Sequence, residues 1–233
     1  MPVKNRCMIK LKFINKTLGR KLILSNVSLS IHSGEIIGIA GPVGAGKSTL
    51  LNILNGLITP DKGSVTIMEL PMSTNLQQIL QQLNHASSSQ RLSGYATVSE
   101  NLYTYAQLYG VSNIQKHIAL YWNLFKMPIG LLHKKVYRLS SGENSLVNLV
   151  KALLNNPKIL LLDEITAHMD SLFANRVHTY IKNRKKLGAI TILVSQNTKE
   201  LQKISTRMVV LSNGTITYDG KPINNTQAQS YYA

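Results

Sequence analysis

The chain has 233 residues, of which 44% are hydrophobic, so it is long enough to bury the core of one large domain. This aliphatic content excludes a disordered chain. No apolar run approaches the roughly 18 residues needed to span a bilayer, so a membrane role would have to come through a partner chain. The single cysteine, Cys7, cannot form an internal disulfide, which fits a reducing compartment.

The formal net charge is +16, and the basic excess is spread along the chain. Residues 1–116 carry eleven Lys and Arg against four Asp and Glu, and residues 117–233 carry fifteen against six. The preferred interpretation is a surface on which Asn, Gln and Ser occupy positions where Glu is usual. Attraction to an anionic membrane surface is the second interpretation. Nucleic acid is not expected as a partner, because no basic stripe with base-reading or aromatic residues is present.

The N-terminal segment lacks a continuous apolar stretch, so we expect no secretory signal. Its first acidic residue is Glu35, and a basic start of this kind also occurs in transit peptides. Apolar residues alternate over residues 9–13, however, and this alternation favours a strand in the folded domain.

Short apolar runs alternate with segments of helical spacing along the chain, which predicts an α/β fold with a mainly parallel sheet. Strands are predicted at residues 9–13, 36–40, 65–67, 159–162, 190–194 and 208–211. Helices are predicted at residues 48–57, 75–83, 95–110 and 114–125. A change of character near residue 84 predicts a helical insertion over about residues 84–149. The core is then residues 1–83 and 150–222, with a C-terminal tail at residues 223–233.

A glycine-rich turn follows the predicted strand at residues 36–40 and matches the phosphate-loop pattern G-x-x-x-x-G-K-[ST] in full. Its residues are Gly41, Pro42, Val43, Gly44, Ala45, Gly46, Lys47 and Ser48, followed by Thr49. Glycines let backbone N–H groups wrap a polyphosphate, and the helix that begins near Lys47 adds its positive end. We expect Lys47 to neutralise the β- and γ-phosphates and Ser48 to bind Mg²⁺.

Two adjacent carboxylates, Asp163 and Glu164, end the apolar strand predicted at residues 159–162. Asp163 is placed to hold Mg²⁺, commonly through water. Glu164 is placed to polarise the attacking water as a general base. With only ten acidic residues in the chain, an adjacent pair at this strand end is poorly explained as surface turn charge.

A second motif narrows the class of nucleotide-binding protein. The segment Leu139, Ser140, Ser141, Gly142 and Glu143 resembles the L-S-G-G-Q signature of the ATP-binding subunits of ABC transporters. Residues 167–170, ending in Asp170, resemble the D-loop of that family, and residues 209–220 resemble its closing hairpin with an Asn213-Gly214 turn. The resemblance implies one ATP-binding domain over residues 1–233. It implies a P-loop NTPase (RecA-like) core, an N-terminal antiparallel β portion and an inserted helical subdomain.

Within the family, residues 97–102 and 108–110 are similar to exporters whose ATPase and membrane subunits are separate chains, of the multidrug, polysaccharide or haem type. The resemblance implies ATP and Mg²⁺ as cofactors and a peripheral location at the cytoplasmic face of the membrane. It implies a separate transmembrane subunit, contacted by the helical insertion, and a second ATP-binding subunit in a homo- or heterodimer. Each ATP would lie between the phosphate loop of one subunit and the signature of the other.

The chain departs from the family pattern at several positions that bear on activity. They are Leu18 for the adenine-stacking aromatic, Ser88 or Gln90 for the nucleotide-sensing glutamine, Ser141 and Glu143 within the signature, and Gln196 for the switch histidine. A leucine can cover adenine but loses about 0.5–1.5 kcal/mol of stacking. Loss of one donor to the transition state costs about 10²–10³-fold in rate.

Three functions are consistent with these residues. The preferred one is a slow or partner-dependent ATPase that powers an exporter, with Glu164 and Gln196 at the hydrolytic centre. The second is a subunit that binds ATP structurally while a partner hydrolyses it. The third, a soluble ABC protein acting on ribosomes or DNA, is disfavoured because the chain has one such domain and no long insertion.

Overall fold

Ten strands form two sheets in the computed structural model, which describes residues 6–232 of the protein. The strands are β1 Cys7–Leu18, β2 Lys21–His32, β3 Ile36–Ala40, β4 Lys62–Ile67, β5 Leu70–Pro71, β6 Leu83–Ser87, β7 Ile159–Asp163, β8 Ile190–Val194, β9 Arg207–Ser212 and β10 Thr215–Gly220. The helices are α1 Lys47–Leu54, α2 Met72–Leu80, α3 Val98–Leu108, α4 Ile114–Leu124, α5 Ser141–Leu153, α6 Ser171–Lys186, α7 Thr198–Ile204 and α8 Asn225–Gln229. Two short 3-10 helices lie at Ile129–His133 and Val136–Arg138. The predicted α/β class is confirmed.

The N-terminal sheet is antiparallel, with the strand order β2-β1-β4-β5. Along β1, Ile9 and Leu11 are buried while Lys10 and Lys12 are exposed, because successive side chains of a strand point to opposite faces. The alternation breaks at Phe13, which has a φ of 52° and lies where the pairing with β2 shifts register. The predicted antiparallel β portion is therefore present.

The second sheet has six strands in the order β10-β9-β3-β8-β7-β6, and all neighbours are parallel except β9 and β10. The antiparallel pair is joined by Asn213 and Gly214, whose φ values of 46° and 76° suit a tight hairpin turn. The sequence prediction of this closing hairpin is confirmed.

The central strands of the parallel sheet are buried on both faces. In β3, Ile36 and Ala40 join a core formed with the helices α3 to α6, whereas Ile37 and Ile39 join a core formed with α1 and the antiparallel sheet. The same alternation holds in β7 and β8. Strands covered on both faces read as continuous apolar runs, which is why the sequence pattern revealed them.

The carboxyl ends of four parallel strands meet at one edge of this sheet. Asp163 at the end of β7 is in register with Val194 of β8 on one side and Ser87 of β6 on the other. Ile39 of β3 is in turn paired with Val194. The loops that follow these strands therefore converge, as ligand-binding loops do in open α/β sheets.

The predicted start of the helical insertion at residue 84 was wrong for residues 84–87, which form most of strand β6. The strand was missed because it carries polar residues where buried strands usually carry Val, Ile or Leu. Its buried Asn84 is satisfied instead by hydrogen bonds from Nδ2 to the Ala152 carbonyl (2.8 Å) and to Asn155 Oδ1 (2.6 Å). The helix predicted at residues 75–83 lies earlier, at Met72–Leu80.

The helical segment also differs from expectation at its ends. The helix predicted from residue 95 begins at Val98, because Thr97 caps it: Thr97 Oγ1 accepts from the Glu100 N–H and the Glu100 carboxylate accepts from the Thr97 N–H. The predicted boundary at which the helical insertion ends and the core resumes, between residues 149 and 150, falls inside α5. This helix packs on β6. The division of the chain into a core and an insertion otherwise stays a prediction.

The C-terminal tail predicted at residues 223–233 contains the short helix α8 and returns to the sheet. The Tyr231 ring lies 4.9 Å from the Tyr218 ring of β10, and Thr217 Oγ1 donates to the Tyr231 carbonyl at 2.9 Å. Residues 1–5 and 233, which belong to the predicted N-terminal segment and tail, lie outside the described residues. Over the described part of the chain, no helix has the length and apolar character needed to cross a membrane.

Candidate functional site

The glycine-rich turn after β3 forms a loop that leads directly into α1. Gly44 and Gly46 have φ values of 81° and 102°, in the left-handed region that favours glycine. A Cβ on Gly46 would lie 2.7 Å from a Leu24 methyl and 2.9 Å from the Ile23 carbonyl oxygen, so the loop also needs glycine for space. Among residues 6–232, no side chain caps α1, which begins at Lys47, so its first N–H groups can face an anion.

The Lys47 side chain folds back over this loop. Its Nζ donates to the carbonyl oxygens of Gly41 and Pro42, both at 2.7 Å, and the residue is 9% exposed. Burial lowers the pKa of Lys47, while the carboxylates of Glu164 and Asp163 act in the opposite direction. The ammonium is therefore held by the loop carbonyls and lies in the field of the acidic pair, where it can bind an anionic phosphate.

Asp163 and Ser48 approach each other across the cleft. Ser48 Oγ donates to Asp163 Oδ2 at 3.4 Å. Burial raises the pKa of Asp163, and the Ser48 hydrogen bond and the Lys47 charge lower it in part. A hydroxyl and a carboxylate oxygen at this separation fit Mg²⁺, which takes one or two protein ligands together with phosphate and water. Within residues 6–232, no group of three or more His, Cys, Asp or Glu side chains could form an all-protein metal cage.

Glu164 is held in a strained backbone conformation beside Asp163. Its φ is 51°, which is uncommon for a residue with a side chain and has a free-energy cost. Its N–H donates to the Val194 carbonyl at 3.0 Å, and its Oε1 accepts from the Gln196 N–H at 2.8 Å. Burial raises the pKa of Glu164, which suits a general base that must gain a proton during reaction.

The loop after β6 forms the third wall of the cleft. Its serines are tied together, with Ser87 Oγ and Ser89 Oγ 2.9 Å apart, and the Ser88 N–H donates to the Asp163 carbonyl at 3.1 Å. Ser88 lines the cleft, whereas Gln90 is not among its lining residues. The Gln90 carbonyl instead accepts from Asn148 Nδ2 at 2.9 Å, which ties that residue to α5. Of the two candidates for the nucleotide-sensing position, Ser88 is the one at the site.

These walls enclose a cleft of about 420 Å³. It brings together the predicted Val43, Gly44, Gly46, Lys47, Ser48, Thr49, Ser88, Asp163, Glu164 and Gln196. It also contains Lys21 and Ile23 of β2, which are not among the predicted site residues. Leu18 is not among the lining residues; it is 42% exposed and pairs with Lys21 at the end of the β1–β2 hairpin. The proposed contact of Leu18 with a base therefore stays a prediction.

The signature segment lies outside this cleft, at the start of α5. Ser140 caps the helix: its Oγ accepts from the Glu143 N–H at 3.2 Å, and Glu143 Oε2 accepts from the Ser140 N–H at 2.7 Å. A Cβ on Gly142 would lie 2.6 Å from the His168 carbonyl oxygen, so glycine is needed where α5 meets the loop before α6. Ser140, Gly142 and Glu143 line a separate cavity of about 290 Å³. One chain therefore does not bring its own signature to its phosphate loop.

Asp170, the predicted D-loop residue, has a structural role within the chain. It is the N-cap of α6, and its Oδ1 accepts from the Phe173 N–H at 2.9 Å. It also lines the cavity beside the signature, together with His168.

A buried polar cluster behind Glu164 was not anticipated. Glu200 of α7 is 8% exposed and accepts hydrogen bonds from Thr166, His178 and Ser195. Burial alone would raise the pKa of Glu200, but the hydrogen bonds from its three partners hold it below its usual value. In the sequence, this cluster is marked only by Glu200, an acidic residue three positions after Asn197, the N-cap of α7.

The chain is similar in sequence to ATP-binding proteins of known families. The family model described as "ABC transporter" matches residues 24–167. A "Spermidine/putrescine import ATP-binding protein PotA" of Pasteurella multocida is 30% identical over 223 residues, which cover 94% of this chain and 60% of that protein. A "Nod factor export ATP-binding protein I" of Rhizobium etli is 28% identical over 211 residues, which cover 90% of this chain and 66% of that protein. The chain thus spans only part of the length of these relatives.

Solved structures show the same fold. The structure of an ATP-binding subunit of an ABC transporter superposes with a TM-score of 0.86 at 22% identity, covering 97% of this chain and 94% of that one. A dimeric ATP-binding cassette in a post-hydrolysis state, bound to ADP and phosphate, superposes with a TM-score of 0.83 at 27% identity, covering 93% and 100%.

Proposed function

The chain belongs to the ABC transporter family, and we propose that it binds ATP with Mg²⁺ at residues 41–49 and hydrolyses it with Glu164 as the general base. The observation that carries this proposal is the meeting of Lys47, Ser48, Asp163 and Glu164 in one cleft at the carboxyl edge of the parallel sheet. These groups provide a cation for phosphate, two oxygen ligands for Mg²⁺ and a carboxylate beside them.

Each side chain has a distinct task in this proposal. Lys47 leaves the loop carbonyls and binds phosphate oxygens, since a charge-assisted bond to phosphate is stronger than a bond to a neutral carbonyl. Ser48 and Asp163 would hold Mg²⁺, which would supply positive charge against the phosphates. Glu164 accepts a proton from the attacking water, and the Gln196 N–H keeps its carboxylate in place.

The position of the signature supports a dimer as the working unit. Ser140 and Gly142 line a different cavity from the phosphate loop of the same chain, and we propose that a second ATP-binding subunit supplies them to each site. The solved relative with ADP and phosphate bound is described as dimeric. We propose the same arrangement here, as a homo- or heterodimer.

We further propose that the dimer powers a separate transmembrane subunit at the cytoplasmic face of a membrane. The export direction rests on the resemblance of residues 97–102 and 108–110 to exporters with separate subunits. The relatives reported above include one import and one export protein, so their names favour neither direction.

A phosphate-release assay on the purified 233-residue chain tests the hydrolytic proposal. We expect the wild type to exceed Glu164→Gln by about 10²-fold or more, because a positioned general base contributes about 10²–10⁴-fold. Glu69→Gln is the matched control, since Glu69 is exposed and pairs with Arg6. Equal rates for the wild type and Glu164→Gln, with ATP binding retained by both, would favour the structural-binding alternative that Gln196 raises.

A further inference from the structure

A buried carboxylate ties together the two loops that carry the hydrolytic residues. Glu200 of α7 accepts from His178 Nε2 at 2.6 Å and from Ser195 Oγ at 2.8 Å, and Thr166 Oγ1 donates to the same carboxylate. Thr166 lies in the loop after β7, and Ser195 directly follows β8. The third donor, His178, belongs to α6, so one side chain connects three separate parts of the chain.

The connected loops are those of Glu164 and Gln196. Thr166 stands two residues after Glu164, and Ser195 stands immediately before Gln196. Between them, the Gln196 N–H donates to Glu164 Oε1 at 2.8 Å. The contacts form a closed circuit from the Glu164 loop through Glu200 to the Gln196 loop and back.

The backbone of Glu164 is strained, so its conformation depends on the contacts that surround it. Its φ of 51° is kept only if the surrounding contacts over-determine it. Its hydrogen bonds run from its N–H to the Val194 carbonyl, from the Gln196 N–H to its carboxylate and from the Ala167 N–H to its carbonyl. The Glu200 cluster adds an anchor on each side of these contacts, at Thr166 and Ser195.

His178 is the member of the cluster that comes from outside the two loops. Its side chain is 12% exposed, and within residues 6–232 its buried Nδ1 has no hydrogen-bond partner. Nε2 faces a carboxylate, so the network assigns the proton to this nitrogen. His178 and Glu200 form part of the wall of a cavity of about 710 Å³ whose lining also includes Glu164 and Gln196.

We infer that His178 and Glu200 are positioning residues for ATP hydrolysis, which hold the Glu164 carboxylate and the Gln196 loop in their reactive arrangement. The inference rests on the proposed function, because it concerns the geometry of the same site. Neither residue lines the phosphate cleft, so ATP binding does not require the pair.

Substitutions at His178 separate positioning from general stability. In the purified 233-residue chain, we expect His178→Leu to lower the single-turnover rate of ATP hydrolysis about 10- to 100-fold, since small displacements of catalytic groups have effects of this size. The dissociation constant of ATP should stay within about twofold of wild type, because the phosphate loop is untouched. His178→Gln keeps an N–H near the position of Nε2 and should retain the rate within about threefold.

The control is His117→Leu. His117 is also a half-buried histidine whose Nδ1 is buried without a partner among the described residues, but it lies on α4 and lines none of the cavities described above. The single-turnover rate of His117→Leu should equal that of wild type. An unchanged rate in His178→Leu, or equal losses in His178→Leu, His178→Gln and His117→Leu, overturns the inference.

A second readout does not depend on turnover. In His178→Leu, amide hydrogen exchange should accelerate about tenfold or more over residues 164–170 and 195–198, while residues 41–49 keep wild-type exchange. Uniform or unchanged exchange overturns the inference. If wild type hydrolyses no faster than Glu164→Gln, the proposed hydrolysis fails, and the exchange pattern alone decides the positioning claim. If His178→Leu does not fold, Ser195→Ala removes one donor from the same carboxylate and is judged by the same criteria.

Discussion

The glycine-rich phosphate loop and the proposed hydrolytic centre share one cleft but are built in different ways. In the loop, Lys47 bonds carbonyls only five and six residues away, and the two glycines set the turn. At the hydrolytic centre, Glu164 is 32 residues from Gln196, and Glu200 is 34 residues from Thr166. The hydrogen bonds of Lys47 stay within one segment of the chain, whereas those of Glu164 and Glu200 join segments that are far apart in the sequence. Binding and hydrolysis should therefore be separable by mutation.

The largest expected effect is the loss of binding in Lys47→Ala. Removing the buried ammonium should weaken ATP binding about 100-fold or more, since hydrogen bonds to charged groups contribute about 1.5–3 kcal/mol each. Titration of a fluorescent ATP analogue measures the dissociation constant. Lys62→Ala, an exposed lysine of β4, is the control and should bind as wild type does. Near-normal binding by Lys47→Ala would contradict the local construction of the loop.

Gln196→His should raise turnover without changing binding. The resemblance to the family assigns position 196 to its switch histidine, and one donor to the transition state is worth about 10²–10³-fold. Because the glutamine can already donate a hydrogen bond, we expect a gain of about tenfold in single-turnover rate. Gln115→His on the exposed side of α4 serves as control. A gain in affinity for ATP without a gain in rate would show that mutation does not separate the phosphate loop from the proposed hydrolytic centre.

The pH dependence of hydrolysis should report Glu164. Burial raises the pKa of this carboxyl above the usual 4.5, the Gln196 N–H lowers it in part, and the Asp163 charge raises it. The base acts only when ionised, so the rate should fall as the pH decreases through this raised pKa. Rate profiles from single-turnover reactions should place the acidic limb above pH 4.5, and Glu164→Gln should lack it. An acidic limb at or below pH 4.5 would contradict the conclusion that burial raises the pKa of Glu164.

The smallest effects are expected at the signature, which is built locally like the phosphate loop but lies outside the cleft. Ser140→Ala removes the α5 cap and should lower the free energy of unfolding by about 1 kcal/mol. Glu143→Gln keeps a capping side chain and loses only a partly exposed ion pair with Lys134, so the change should stay below about 1 kcal/mol. Urea denaturation measures both. A larger loss in Glu143→Gln than in Ser140→Ala would refute this ranking.

Prediction from the sequence succeeded where the information was local. The β3 strand, the loop and α1 were recognisable because apolar run, glycines and lysine follow one another directly. The end of β7 was recognisable because two carboxylates follow a continuous apolar strand. In contrast, β6 was missed because its buried Asn84 is satisfied by partners about seventy residues away.

The sequence by itself determined the phosphate loop, the acidic pair and, through several separate motifs, the family, because each single motif consists of residues close together in the chain. The tertiary structure decided the rest of the site. It placed Ser88 rather than Gln90 in the cleft, brought Lys21 and Ile23 to its rim, and excluded the signature from it. It also joined His178 to Glu200 behind Glu164. These pairings arise from strand register and helix packing, and spacing along a single sequence does not contain them.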